Sequence, residues 1–254
     1  MRIFFILLLT LFSTCAKART DSRTVHICFE RWWPYSFINE QKQVRGIEVD
    51  VIKSALVSSP YRVTFHELPY RRCLAGVADG TFDFTLHVDE ADGFPIIDVS
   101  FTTWQLSLAV KKGRFSSPDD FYQLTAPRVM ISEDYSYPEA AVQGLKEIKA
   151  AIVQRSFYEQ NHDDGKKFFS VLNNNRVDAV LVDKVWALEM IRRHQLEVDF
   201  LPRPFHAEQQ FMGYNIANQA MAKRIESLLE KVPKKTIKSI EIKYLGDSFQ
   251  SLTQ

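Results

Sequence analysis

The stretch Glu30-Arg31-Trp32-Trp33-Pro34-Tyr35-Ser36-Phe37 decides how this chain is read. Before it stands a strand-like run, Val25-His26-Ile27-Cys28-Phe29, and after it a helix-like run, Gly46-Ile47-Glu48-Val49-Asp50-Val51-Ile52. A strand-to-helix connection in an α/β protein lies at the carboxyl edge of the sheet, where small ligands bind. Two tryptophans and a tyrosine placed there are either plugged by the rest of the protein or stack on something.

Outward from this loop, strands and helices keep alternating. Arg62–His66 reads as a strand, Tyr70–Asp79 as a helix stopped by Gly80, and Phe82–Leu86 as a third strand. Such alternation implies βαβ units and a mostly parallel sheet. Leu106–Val110 is a further strand that ends in Lys111-Lys112-Gly113 and a polar stretch, Ser116–Asp120, which marks a first boundary. A second alternating set follows, with strands at Arg128–Ile131 and Ala150–Val153, a helix over Lys166–Asn174, a buried strand at Val177–Val182 and a helix over Lys184–His194. Val198–Leu201 leads into Pro202 and Pro204, a second boundary. After it come a strand at Gln210–Ile216, an amphipathic helix at Gln219–Lys231 and a short helix near Ser239–Tyr244. The two sets echo each other: Gly80-Thr81-Phe82-Asp83-Phe84 corresponds to Asn175-Arg176-Val177-Asp178-Ala179. Two similar α/β lobes joined by two crossings imply a cleft between lobes, a favoured ligand site.

The first residues set the compartment. Arg2, the apolar run Ile3–Phe12 and Ala16-Lys17-Ala18 read as a secretory signal peptide cleaved after Ala18. A lipid anchor on Cys15 is the alternative, and Phe12 and Thr14 fit that signal poorly. No later stretch approaches the ~18 apolar residues of a membrane span. Removing residues 1–18 takes Arg2 and Lys17 with it and leaves 30 basic against 31 acidic residues, a formal charge of −1. That balance excludes a nucleic-acid or anionic-membrane footprint. Cys28 and Cys73 remain, an even number that favours a disulfide in an oxidising compartment, with two buried thiols as the alternative. No CxxC or HExxH motif exists, and neither a metal nor a cofactor has sequence support.

The order and spacing of these features resemble bacterial extracellular solute-binding proteins of family 3, the periplasmic amino-acid-binding type. The matching residues are Glu30, Trp33, Pro34-Tyr35, the Gly46-to-Asp50 helix start, Tyr70, Gly80, Asp83, Asp178 and Asp183, and the Lys243-Tyr244-Leu245 tail. The resemblance implies a periplasmic binding protein type II fold, in which two lobes close on a ligand about a two-strand hinge. The hinge strands are expected near Leu106–Lys111 and Phe205–Ile216, with residues 19–110 and 206–254 in the first lobe and 111–205 in the second. It implies a monomeric, non-enzymatic periplasmic protein that passes a small polar or cationic ligand to an ABC importer. A dehydratase-like enzyme on the same scaffold, or a binding protein that docks on a membrane sensor, are the alternatives.

Placed on this sequence, the expected ligand residues are Glu30, Trp32, Trp33, Tyr35, Tyr70, Arg72, Thr85, His87, Glu133, Tyr135, Tyr137 and Asp183. Aromatic side chains suit stacking on amides, rings and cations. One tryptophan is expected in the cleft and one packed; Trp33 matches the resemblance better, and Trp32 stays open. Arg72, at a helix start where a cation is disfavoured, either holds an anionic group or is a surface arginine. Asp183 either receives a ligand ammonium or caps the helix after it. His87 is a pH-sensitive contact or a structural histidine. The resemblance also implies an arginine that clamps the ligand carboxylate, and that position falls on Gly93, with Asp89 and Asp92 beside it.

Overall fold

The computed structural model of this chain describes residues 23–133, 135, 137–156, 164–202 and 205–246. The expected signal peptide, Cys15 and Pro204 lie outside the described residues. The first alternating set forms β1 (Thr24–Phe29), a small hairpin of β2 (Phe37–Ile38) and β3 (Val44–Arg45), α1 (Ile47–Leu56), β4 (Arg62–Glu67), α2 (Tyr70–Ala78) and β5 (Phe84–Val88). A long strand, β6 (Ile96–Lys111), leads to the second set: α3 (Pro118–Tyr122), β7 (Arg128–Ser132), α4 (Glu139–Glu147), β8 (Ala151–Arg155), α5 (Asp164–Asn173), β9 (Ala179–Asp183), α6 (Lys184–His194) and β10 (Val198–Phe200). The chain returns through β11 (His206–Tyr214) and finishes in α7 (Gln219–Leu229) and α8 (Lys234–Leu245).

The strands run in the order β4-β1-β5-β11-β6-β9-β7-β8, with β10 beside β6. At each end is a parallel triple, β4-β1-β5 and β9-β7-β8. Between them lie β11 and β6, antiparallel to each other and to the triple each one borders. The two ends have separate cores. Val25, Ile27, Phe29, Phe84, Ile97, Met212 and Ile225 pack in one. Leu106, Leu108, Val110, Phe121, Val129 and Leu181 pack in another, on the opposite face of whose sheet Phe169, Val180 and Trp186 form a third. The two paired strands β6 and β11 are therefore what joins two α/β lobes.

The sequence reading starts this crossing strand at Leu106, but it begins at Ile96 and spans 16 residues. Asp98, Ser100, Thr102 and Thr103 break the apolar pattern that marks a strand in a core, because this segment runs from one core to the other. Its pairing with β11 also shifts register between Gln210 and Met212, an irregularity of the kind that bends a strand. Two further differences are α4, which the sequence reading leaves unassigned, and α8, which begins at Lys234 rather than near Ser239.

The aromatic loop is fixed by the first helix. The N–H groups of Ile47 and Glu48, which have no partner inside α1, donate to the carbonyls of Pro34 and Tyr35 at 2.9 and 3.1 Å. The loop closes on itself through Ser36 N–H and Tyr35 N–H, both donating to Trp32 O, and through Ser36 Oγ, which donates to Glu30 O. This contact requires Gly46. Its φ of 131° lies in the left-handed region, and a Cβ there would stand 2.1 Å from Tyr35 O. From the other side, the Tyr244 hydroxyl accepts from Gly46 N–H and donates to Asp50, which also binds Lys243. The Lys243-Tyr244 tail thus anchors the last helix to the loop's support.

Cys28 on β1 and Cys73 on α2 form a disulfide with a Cα–Cα distance of 5.3 Å, closing a sequence separation of 45 residues. A loop of that length stabilises the fold by about 4 kcal/mol through the unfolded state. Substituting both cysteines by serine is expected to lower the melting temperature strongly, and an unchanged melting temperature would show that the bridge contributes nothing. Gly46→Ala is expected to cost more than about 2 kcal/mol, because strain and a backbone clash add. Denaturant unfolding measures it, and a loss below about 0.5 kcal/mol contradicts the role given to Gly46.

Candidate functional site

The site is built from the ends of strands. β9 is buried along all five residues, and its last residue, Asp183, is also the N-cap of α6. Its Oδ1 accepts from Trp186 N–H at 2.7 Å, and its side chain is almost fully buried, with 1% of the residue exposed. Oδ2 has no hydrogen-bond partner. Burial raises the Asp183 pKa to about 7; the Trp186, Gln105 and Val185 backbone N–H groups and the Trp32 indole, which turn partial positive charge toward it without completing a bond to Oδ2, only partly oppose this.

Asp183 lines a cavity of about 520 Å³ bordered by both lobes and by both crossing strands. The first lobe contributes Glu30, Arg31 and Trp32 from the aromatic loop, Pro69, Tyr70 and Arg71 from the start of α2, and His87, Asp89, Ala91 and Asp92 from the end of β5 and the turn after it. The second contributes Glu133, Tyr135, Tyr137 and Pro138 from the segment between β7 and α4, and Glu139 from the start of α4. Trp104 on β6 and Gln210 on β11 come from the crossing.

Aromatic rings form much of the wall. The Trp32 ring meets Trp104 edge to face at 6.0 Å, and Trp104 lies 6.3 Å from Tyr135 and 6.1 Å from Tyr137. Trp32 is held from behind by Tyr35 at 5.0 Å and His87 at 4.8 Å. His87 in turn belongs to a buried polar group. Its Nε2 lies 2.9 Å from Glu48 Oε2 and 3.3 Å from Ser36 Oγ, while Glu48 Oε1 accepts from the Thr102 hydroxyl at 2.7 Å. The His87–Glu48 approach lies off the line of a hydrogen bond, and Oε2 has no hydrogen-bond partner. The group ties α1, β5, β6 and the aromatic loop together behind the cavity.

Polar groups shape the rim. The Tyr70 hydroxyl donates to the Asp92 carboxylate, which also accepts from Asp89 N–H. Burial first, and then this bond and the neighbouring acids, push the Tyr70 phenol far above its usual range. Asp89 is held above the ordinary carboxylate value by burial, then by the charges of Asp92 and Glu208. The Tyr137 hydroxyl accepts from Ser132 N–H at 3.0 Å and donates to Leu181 O at 3.4 Å, which fixes the segment after β7. Arg31 is already engaged, with two nitrogens on the two oxygens of Glu67 at 3.1 and 3.2 Å. Among the described residues no group of three or more His, Cys, Asp or Glu is arranged to hold a metal ion.

Of the residues expected from sequence, Glu30, Trp32, Tyr70, His87, Glu133, Tyr135, Tyr137 and Asp183 come together around this cavity. Four do not. Trp33 is not in the wall; Trp32 is. Tyr35 is buried behind Trp32, 6% exposed, and burial and the nearby carboxylates raise its phenol well above its usual range. Thr85 is fully buried in β5, where its hydroxyl bonds to Leu86 O. Arg72 is exposed and turned away, while its neighbour Arg71 faces the cavity. Gly93 has φ 74° and open space around it. The lining residues not foreseen include Trp104, Gln210, Arg71 and Glu139. Gln210 had one available signal, its place on an expected crossing strand, whereas Trp104 lies before the expected start of the other at Leu106.

No protein-family model matches the sequence, and no curated protein is significantly similar to it. Solved structures do match. A probable amino-acid ABC transporter extracellular-binding protein from Bacillus subtilis aligns over 89% of this chain and 99% of its own, at 17% identity and a TM-score of 0.71. An ABC uptake transporter substrate-binding protein from Streptococcus pneumoniae with bound histidine covers 90% and 94%, at 18% identity and a TM-score of 0.70. A histidine kinase sensor domain with similarity to periplasmic binding proteins covers 88% and 96%, at 16% identity and a TM-score of 0.67. At these identities the likeness shows the fold, the two-lobed type II periplasmic binding architecture expected from the sequence.

A buried, half-satisfied carboxylate costs stability. A pKa moved from 3.8 to about 7 means that the folded state favours the protonated acid. Stability on this account falls as pH rises through that interval and the full cost, on the order of 4 kcal/mol, stands above about pH 7. Asp183→Asn keeps the capping oxygen and removes the charge. It is expected to melt higher than the unsubstituted protein at about pH 8, with the advantage shrinking toward about pH 5. A lower melting temperature at about pH 8 would mean that the ionised carboxylate is compensated by its surroundings.

Proposed function

We propose that this protein is an exported solute-binding protein that takes a small polar ligand into the cavity between its lobes. The observation that carries this reading is Asp183: a buried carboxylate with one oxygen lacking a hydrogen-bond partner, in the wall of a half-open space of about 520 Å³ lined by aromatic rings. That volume is in the range of small-molecule sites. Both lobes and both crossing strands border it, so a ligand held there bridges the lobes and favours their closed arrangement.

The separate cores support a lobe boundary within the crossing, near Thr102–Gln105 on β6 and His206–Phe211 on β11, rather than at residue 110. The disulfide and the apolar leader of the sequence support export. Among the described residues no helix is long and apolar enough to cross a membrane. Delivery to an ABC importer fits the Bacillus and Streptococcus proteins, and the kinase sensor domain keeps docking on a membrane receptor as a further route for the same binding event. Both lobes that border the cavity belong to one chain, which fits a protein that binds as a monomer.

One observation favours a second reading. A carboxyl that titrates near 7 is poised as a general acid or base, the property a dehydratase-like enzyme would use. Binding is preferred because His87, the histidine in the wall, is packed against Glu48 and Ser36 behind Trp32.

Thermal-shift measurements against amino acids, amines, short peptides and sugars test the proposal, since a ligand of the native state raises the melting temperature. Trp32→Ala is expected to weaken the best ligand by at least about tenfold, and Trp33→Ala to leave it in place. The reverse pattern would put the site elsewhere on the loop. Mass spectrometry of the ligand after incubation separates the readings: recovery unchanged supports binding, and conversion supports the enzyme.

A further inference from the structure

We infer that the ligand is an organic cation bearing N–H donors and no carboxylate, a primary amine or amidine, a refinement that rests on the ligand-binding reading above. Three independent features of the cavity converge on this class. The first is charge. Besides Asp183, the wall carries Glu30, Asp89, Asp92, Glu133 and Glu139, against two guanidiniums. One of these, Arg31, already has both oxygens of Glu67. The other, Arg71, is exposed, where water screens it. Among the described lining residues no Lys or Arg inside the cavity is left to neutralise a ligand carboxylate, which would be brought among like charges in a partly dehydrated space.

The second feature is the unpartnered Oδ2 of Asp183. A buried carboxylate oxygen gains most from a charged donor placed directly on it. An ammonium or amidinium nitrogen supplies that donor, whereas a quaternary ammonium has no N–H and leaves the oxygen orphaned. The third is the set of ring faces and edges from Trp32, Trp104, Tyr135 and Tyr137. Aromatic faces attract cations and give nothing to carboxylates. A neutral sugar would use the rings and Asp183 but would bring no positive charge to a wall rich in carboxylates. The raised pKa of Asp89, caused partly by Asp92 and Glu208, reports the same negative field that a bound cation relieves.

The experiment is a panel of matched pairs, each an amino acid against the amine left when its carboxylate is removed: lysine and cadaverine, arginine and agmatine, histidine and histamine, tyrosine and tyramine. Sugars and neutral peptides complete the panel, and affinities come from calorimetry on the full mature chain. In the pair that binds most tightly, the amine is expected to bind at least about tenfold better than the amino acid. Asp183→Asn is expected to lose that amine by at least about tenfold while remaining folded by melting temperature, and Arg71→Ala to strengthen it by removing a like charge. An amino acid that matches or exceeds its amine, or an Arg71→Ala variant that loses binding, overturns the inference and leaves the ligand-binding function standing. Binding by sugars or neutral peptides alone does the same. Silence across the whole panel overturns both.

Discussion

Asp183 has two incompatible duties, and most of the site follows from how they are reconciled. As the last residue of a fully buried strand it is carried deep between the lobes, and as the N-cap of α6 it commits one oxygen to Trp186 N–H. The other oxygen is buried without a completed hydrogen bond. An isolated buried carboxylate is costly, and proteins normally pair it or hydrogen-bond it fully. Here the surroundings supply rings and further acids instead of a cation. The native fold therefore retains a local destabilisation that a ligand of opposite charge would relieve, which makes ligand affinity and fold stability two sides of the same buried group.

The rest of the fold keeps that group between two bodies. Each parallel triple of strands is a small sheet with its own core, and only β6 and β11 connect them. Trp104 and Gln210 sit on these connecting strands and in the cavity wall at once. Any change in lobe angle must move them relative to Trp32 and Asp183. Behind the wall, the Ser36–His87–Glu48–Thr102 group and the Gly46 contact make the aromatic loop a rigid part of the first lobe rather than a free flap. A rigid loop positions Trp32 without an ordering cost on binding.

Much of this was legible in the sequence because it rests on local patterns. Alternating strands and helices, the Asp that opens or ends each strand, and the Gly46 helix start are short-range signals, and they placed β1, α2, β9 and α6 closely. What escaped has a common cause. The first ten residues of β6 mix apolar and polar, with Ile97-Asp98-Val99-Ser100-Phe101-Thr102 alternating, a half-buried pattern weaker than the continuous apolar run that follows it. The choices between Trp32 and Trp33 and between Arg71 and Arg72 turn on a single residue. Consecutive residues on a helix point about 100° apart, so whether Arg71 or Arg72 reaches the cavity is set by how α2 is rotated against its sheet, which its start and composition do not encode. Thr85 shows a related limit on a strand: it stands two residues before His87, so alternation does not separate them, and only His87, nearer the strand's end, reaches the cavity wall while Thr85 is sealed in the core.

The central claim, that Asp183 is a buried acid awaiting a cation, is tested most directly by following its carboxyl carbon by NMR across pH, with the free protein and with the tightest amine bound. The account predicts a midpoint near 7 in the free protein and a midpoint well below that in the complex, because a bound cation stabilises the ionised form. A midpoint near the ordinary carboxylate value in the free protein, or one that the amine leaves unmoved, would contradict it.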